Sequence, residues 1–545
     1  VFLLFFAGSA EATARFMTLN GATSGTCTTS GAACRFDYLV SLLACGDTVT
    51  VLNGNYTGAN NMINTSTTFG GTTPANPTCT LGNEIAWSAE TDGGVFFNGQ
   101  FARAPFLLDG LTYWTFDGFD AGNADAAGAN FAFAGASLNH VTVTRSCFSN
   151  TQKRDPGDNL HTFAYYGTGV QNSTFEDICV FGTGRNQFVE GTTPGAGNVY
   201  RRWWIRYEGW CPNSGGQVGG MPMQPSYYSS AGTLGSGGNN LWENFIVIYD
   251  PEQYDQSPTC SSWTDDGPIP GLFQRGASLP NTFKGMIFYG YDGFTAANRT
   301  ATQLAWFIDS WAAVSIAGDG AYTRVYEDIF LDRRSQSDST NGKAFSLLCT
   351  AGGGLCNNNT ADRLTAIKHS ANPASTVSGW SSTNFNECTS LSSCPNFYTG
   401  TSPGTGSRAC FRYSNGTLTS TPLWPWPMDD RIKAALARAN AAGTGGSALA
   451  GTAGVGYAAS TVTSEIVSRY DTIPDACNTA ASGAAQTLTR SPDSVAAGTS
   501  DLTATWSGIP SPTTTDWIGL YTVGSANTAF LDWIYVSCSQ APGSA

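Results

Sequence analysis

The chain has 545 residues, a net charge of −14 and only 26 Lys and Arg, so it offers no basic stripe to neutralise a phosphate backbone, which weighs against nucleic acid as a partner. Charged residues make up 12% of it and glycines number 64, against about 25% charged in an average soluble protein, so the polar surface is hydroxyl and amide rather than ionic. A chain of this length has room for more than one domain.

The chain opens on "VFLLFFAGSA EATARF", a short apolar run followed by small residues, with Ala12 and Ala14 spaced as at a signal-peptidase site. It is too short for a membrane span, and no other segment approaches that length. Residues 1–22 therefore read either as the tail of a secretory signal or as an apolar strand. Fifteen cysteines follow in close pairs such as Cys27 with Cys34, Cys349 with Cys356 and Cys388 with Cys394. This pattern points to disulfides made in an oxidising compartment, with buried free thiols as the alternative. The odd total leaves one cysteine over, and Cys538 is the candidate. The close pairs lack a Cys-x-x-Cys knuckle and the chain has only three His, so no metal site and no cofactor is expected.

After "GDTVTVLNGNYTG", an alternating strand closed by Asn-Gly turn chemistry, one phrase keeps returning: an aromatic, two polar or small residues, then three apolar ones. It begins at Phe175, Tyr200, Trp242, Phe283 and Tyr326, with looser copies at "YWTFDGFDA", "HVTVTRSCF" and "FIDSWAAV". With Phe307 counted, the spacing suggests a period near 20 to 25 residues with skipped copies, as in a solenoid coil. The phrase bends at its polar pair and buries its triplet, which only stacked coils can hide. The fold expected is all-β, a right-handed parallel β-helix, with antiparallel sandwiches as the alternative.

The segments "CGDTVTVLNGNYTG", "STFEDICVFG", "GNVYRRWWIRYEGW" and "PLWPWPMDDRIKAALARA" resemble secreted bacterial right-handed β-helix proteins of the pectin-lyase-like superfamily, over residues 25–440. The resemblance implies fold more than activity, because that scaffold hosts lyases, hydrolases, adhesins and structural proteins. The β-helix is expected over 23–440. Pro422, Pro425 and Pro427 read as a stop, and the helical run Asp429 to Asn440 as a cap on the last coil. An Ala/Gly-rich linker is expected over 441–487.

Residues 488–545 resemble the front half of an immunoglobulin-like sandwich in which the "DWIGLY" phrase recurs, with Trp517, Phe530, Trp533 and Tyr535 at alternating strand positions. A full sandwich needs about seven strands and about 100 residues. The opening apolar residues Val1, Phe2, Leu3, Leu4, Phe5 and Phe6, continuing through residue 20, are expected to donate the missing strands to the next molecule, beside Cys538. Such head-to-tail strand complementation propagates a filament.

An enzyme on this scaffold would need clustered carboxylates. The local clusters are "KRDPGDNLH", with Asp155, Asp158 and His161, and "WTDDG", with Asp265 and Asp266; both sit in Gly/Pro-rich loops where charges usually face solvent. His140 and His369 flank coil phrases and read as exposed or hydrogen-bonded. Most of the 15 Trp and 21 Tyr are expected to stack inside the coils rather than bind sugar. Sequons stand at Asn55, Asn64, Asn172, Asn298, Asn358 and Asn415. These features favour an extracellular structural protein that partners with copies of itself; a secreted polysaccharide lyase or glycoside hydrolase is the alternative.

Overall fold

The computed structural model describes residues 12–124, 131–150, 161–165, 169–182, 186–190, 195–207, 221–226, 238–249, 272–275, 281–290, 307–311, 324–333, 344–349, 359–371, 374–378, 381–383, 385–390, 393, 412–419, 421, 423–441, 461–470, 487–491, 503–507, 517–521 and 530–535. Two compact units divide at Cys477 and Asn478.

The first unit is a right-handed parallel β-helix. One long sheet runs through Ala14–Ala22, Thr48–Val51, Ile85–Ala89, Trp114–Asp117, Thr142–Ser149, Thr174–Phe181, Val199–Tyr207, Asn240–Tyr249, Asn281–Gly290, Arg324–Arg333, Thr360–Lys368 and Ser381–Thr383. A second runs through Ile63–Asn64, Phe106–Asp109, Phe131–Ala136, His161–Tyr165, Asn186–Glu190, Met221–Ser226, Leu272–Arg275, Phe307–Trp311, Phe345–Cys349 and Thr376–Ser378. From Thr48 to Ser378 each coil contributes one strand to each sheet, and every pairing within these two runs is parallel.

The recurring aromatics share one column, with Phe175 paired to Tyr200, Tyr200 to Trp242, Trp242 to Phe283 and Phe283 to Tyr326. The long sequence steps are therefore single wide coils, not skipped copies. Phe307 belongs to the second sheet and is not a copy at all. Within the column Tyr200 stacks on Trp242 at 3.8 Å and Trp242 on Phe283 at 5.7 Å between ring centroids. A second stack, Phe133–Phe163–Phe188, lines the opposite sheet. Stacking is what in-register parallel strands impose on like residues one rung apart, and each such pair contributes about 0.5–1.5 kcal/mol beyond burial.

At the corner leading into the long sheet, buried amides form a ladder. Ser173 Oγ accepts from Val141 N at 3.1 Å, Asn198 Oδ1 from Ser173 N at 2.9 Å, Asn240 Oδ1 from Asn198 N at 2.9 Å and Asn281 Oδ1 from Asn240 N at 3.2 Å. The side-chain N–H groups of Asn198 and Asn240 return to the carbonyls of Val170 and Gly195. Each coil turns this corner with backbone donors that no sheet partner reaches, and the ladder satisfies them.

Three sequence expectations change, one of them the linker expected over 441–487, which carries the helix Val462–Tyr470. Residues Ala14–Ala22 form the first rung of the solenoid, in parallel register with Thr48–Val51; the second strand of the expected donor segment is thus committed within its own chain, while Val1, Phe2, Leu3, Leu4, Phe5 and Phe6 lie outside the described residues. The Cys27–Cys34 disulfide loop and the helix Phe36–Leu39 follow this rung, burying Phe36 and Leu39. The helix Asp429–Ala441 does not lie across the last coil. It lies alongside the coils with the helix Val462–Tyr470, where Ile432, Leu436, Val462, Ile466 and Tyr470 cover outward-facing Cys147, Trp204, Ile246, Ile287 and Phe330. The reason is local: the alternation that points Val180, Ile205 and Val247 inward points an equally apolar set outward, and the two helices bury it.

Disulfides join Cys27 to Cys34, Cys45 to Cys79 and Cys147 to Cys179, and Cys388 is also disulfide-bonded. No helix among the described residues is long and apolar enough to cross a membrane. The second unit contains two antiparallel hairpins, Thr487–Ser491 with Thr503–Ser507 and Trp517–Tyr521 with Phe530–Tyr535. Trp517 pairs with Tyr535 and Tyr521 with Phe530, while Trp533 pairs with Gly519; Cys538 lies outside the described residues.

Candidate functional site

The polar pair of each coil phrase marks a bend in the long sheet. Its second member adopts the left-handed conformation in coil after coil: Arg145, Asp177, Arg202, Asn244, Gly285, Asp328 and Arg363 all have φ between +47° and +64°. Asn, Asp and Gly tolerate this region, whereas Arg there costs about 1–2 kcal/mol. The arginines are held by forks onto the carboxylate one coil before. Arg145 reaches Asp117, Arg202 reaches Asp177 through Nε at 2.7 Å, and Arg363 reaches Asp328 through Nε at 2.8 Å and Nη2 at 3.1 Å. The preceding column alternates in sign: Glu176 and Glu243 both pair with Arg201, and Glu327 pairs with Lys284 at 2.9 Å. The whole forms a charged stripe up the outside of the solenoid.

Its upper end is the densest part. The Arg363 guanidinium gathers three carboxylates, those of Asp328, Asp362 and, at 3.6 Å, Glu327. Over them sits the hairpin Tyr413–Ser414 and Thr417–Leu418, whose two-residue turn Asn415–Gly416 has φ of +50° and +73°, the turn chemistry for which Asn-Gly is selected. Tyr413 donates its phenol proton to Asp328, Lys284 donates to the Gly416 carbonyl at 2.9 Å, and Glu243 accepts from the N–H groups of Asn415 at 3.0 Å and Gly416 at 2.8 Å. The Asn244 amide donates to the Tyr413 carbonyl at 2.7 Å and accepts from its N–H at 2.9 Å.

Burial pushes the Asp328 carboxyl up to about 6, against the hydrogen bonds from Arg363 and Tyr413 that oppose the shift. Burial and the neighbouring Asp328 charge push the Tyr413 phenol far above its ordinary value. Burial acts to lower Arg363, but Asp328 outweighs it and keeps the guanidinium charged. Asp328 is fully buried, whereas the Glu327 and Asp362 side chains keep about a quarter of their surface, 26% and 24%. A buried acid raised to about 6 beside two solvent-facing carboxyl groups and two fixed cations is an arrangement capable of proton transfer.

The residues singled out from sequence fare differently. Asp155, Asp158, Asp265 and Asp266 lie outside the described residues. His161 starts a strand of the second sheet, where its ring stacks on Phe131. His140 stacks on Tyr113 at 4.4 Å and His369 Nδ1 accepts from Ala371 N. Of the sequons, Asn55 and Asn172 are exposed, Asn64 bonds Phe69 O, and Asn415 accepts from Arg201; Asn298 and Asn358 lie outside the described residues. Sequence reasoning saw the polar pairs as bends but missed their chemistry. The signal was present in their alternating charge, Glu176-Asp177, Arg201-Arg202, Glu243-Asn244 and Glu327-Asp328. For Tyr413 no local signal links it to Asp328.

No family model and no curated protein matches the chain. Solved structures resemble it at low identity. A pectate lyase, Pel9A, aligns with a TM-score of 0.45 and 14% identity over 75% of this chain and 91% of its own. An alginate lyase from Paenibacillus sp. str. FPU-7 gives 0.37 and 10% over 68% and 99%. A mannuronic acid specific polysaccharide family 6 lyase from human gut microbiota gives 0.24 and 12% over 66% and 85%. The β-helix assignment rests on this chain's own strand pairing, and at such divergence no residue role transfers from one chain to another.

Proposed function

We propose that the protein is an extracellular glycan-cleaving enzyme whose site is the carboxylate cluster on Arg363. The observation that supports this reading is the gathering of Glu327, Asp328 and Asp362 on one guanidinium, with the buried member raised to about 6 and the other two open to solvent. Glu327 and Asp362 would face the glycan, Asp328 would hold the exchangeable proton, and Arg363 and Lys284 would fix the carboxylates and accept hydrogen bonds from no one, offering donors to sugar hydroxyls. Hydrolysis fits better than elimination, because Arg363, the nearest candidate base, is held protonated by its carboxylates. Disulfides suit work outside the cell.

Head-to-tail assembly into a filament has less support, since Ala14–Ala22 is occupied within the solenoid. The test is a panel of polysaccharides, including pectate and alginate, followed by reducing ends and by ultraviolet absorbance of an unsaturated product. Reducing ends without that absorbance, lost about 100-fold or more in Glu327→Gln and Asp362→Asn, are expected. Wild-type activity that both variants retain would place the chemistry elsewhere.

A further inference from the structure

The hairpin buries the Tyr413 ring beneath the Lys284 ammonium and is otherwise joined to the stripe by a set of polar contacts. Asn244, Glu243, Lys284, Arg201 and Asp328 bond the backbone or polar tips of Tyr413, Asn415 and Gly416. Glu243 and Asn244 are themselves buried, at 0% and 2% exposure, so the hairpin covers acceptors that would otherwise face water. Bonds of this kind are costly to leave unmade, so whatever replaces the hairpin must satisfy the same donors and acceptors. The seat presents two carboxylate acceptors, two cationic donors and one amide that does both. Sugar hydroxyls, each donor and acceptor at once, satisfy such a set as well as a peptide turn does.

We propose that this seat is a glycan subsite and that the Asn415–Gly416 hairpin is the occupant that fills it at rest. The proposal rests on the polysaccharide reading above and adds to it a built-in competitor for the site. Asp328 is otherwise sealed beneath Tyr413, so departure of the hairpin is also what opens the acid to substrate.

A pH dependence follows. Asp328 is faced by Arg363 and Glu327 from the coils and by Tyr413 from the hairpin, with Lys284 paired to Glu327. With the hairpin seated, Asp328 is buried and holds its proton up to about pH 6; with it lifted and only water in the seat, the carboxyl returns toward its ordinary 3.8, and a glycan that takes the hairpin's place buries it again. Seating therefore takes up a proton, and the hairpin closes as pH falls and opens as pH rises.

Hydrogen exchange on the full chain tests this without a ligand. The amides of Asn415 and Gly416 are expected to exchange at least 100-fold faster than those of Trp242 to Ile248. The opening ratio, corrected for the intrinsic rate, is expected to climb by up to about 100-fold from pH 4 to 7, and to lose that climb in Asp328→Asn. Gly416→Ala, strained at φ +73°, should raise opening about tenfold and raise kcat/KM on the cleaved polysaccharide by a similar factor. Hairpin amides that exchange only as slowly as the strand overturn the proposal. So does Gly416→Ala that opens the hairpin while leaving kcat/KM unchanged; in that outcome cleavage still lost in Glu327→Gln keeps the polysaccharide reading. A wild-type protein that cleaves nothing in the panel removes that reading and the subsite with it.

Discussion

Tyr413 reaches across 85 residues of sequence to hydrogen-bond Asp328, so a carboxyl on one coil and a phenol on a distant hairpin are buried together. Because Asp328 is raised from 3.8 to about 6, the folded chain binds this proton more tightly than the unfolded chain does. Its contribution is therefore most favourable below about pH 4 and is lost as pH rises to about 6, by at most about 3 kcal/mol at 1.36 kcal/mol per pKa unit. Urea unfolding at pH 4.5 and 7.0 should show this loss in wild type, and Asp328→Asn should flatten the difference. An unchanged slope in that variant would mean that the titrating group is another carboxyl.

How much of this was legible in the sequence depends on the range of the interaction. The aromatic column from Phe175 to Tyr326 was readable because in-register stacking repeats one residue type on successive coils. Coil length is misjudged because the chain from Tyr207 to Asn240, and from Tyr249 to Asn281, is longer than that from Phe181 to Val199, while the long-sheet strands keep their register. Asn415 is read from sequence only as a sequon, although Asn-Gly is turn chemistry, and its docking on Glu243 and Asn244 has no local signal, since nothing local encodes which coil it meets. The lateral helices were misplaced for a related reason: their apolar face was evident, but the outward apolar set on Trp204, Ile246 and Phe330 was read as part of the interior.

Trp242 fills the centre of the aromatic column between Tyr200 and Phe283 and is fully buried. Trp242→Ala removes both stacking partners' contact and leaves a cavity that stiff parallel rungs cannot close. A loss of about 3–5 kcal/mol in chemical denaturation is expected. Trp242→Phe, which keeps a ring in the stack, should recover more than half of it.

The amide ladder makes a sharper demand. Asn240 accepts from Asn198 N and donates to Gly195 O, both buried. Asn240→Ala strands one donor and one acceptor and should cost about 1–3 kcal/mol. Asn240→Asp keeps the acceptor but points a carboxylate oxygen at the Gly195 carbonyl, so its penalty should exceed that of alanine at pH 7 and shrink toward acid, where the group protonates. Equal penalties at both pH values would contradict the ladder as described.

Arg431 ties the lateral helix Asp429–Ala441 to the coils, with Nε on Asp92 at 2.9 Å and both terminal nitrogens on Asp120. The guanidinium fits because Gly93 has no side chain: a Cβ there would stand 2.5 Å from Arg431 Cζ. Arg431→Ala leaves the Asp120 carboxylate, 3% exposed, with Arg438 as its remaining cation, so the cost should stay below the ~3–5 kcal/mol of a buried charge left wholly unpaired. The loss should appear first as release of the helix rather than unwinding of the coils, since the coils keep their stacked cores. Limited proteolysis should then cut Arg431→Ala near residues 429–441 while the solenoid fragment survives, and Gly93→Ala should produce the same cut by displacing the guanidinium instead of deleting it. Uniform digestion of both variants would show instead that helix and coils unfold as a single unit.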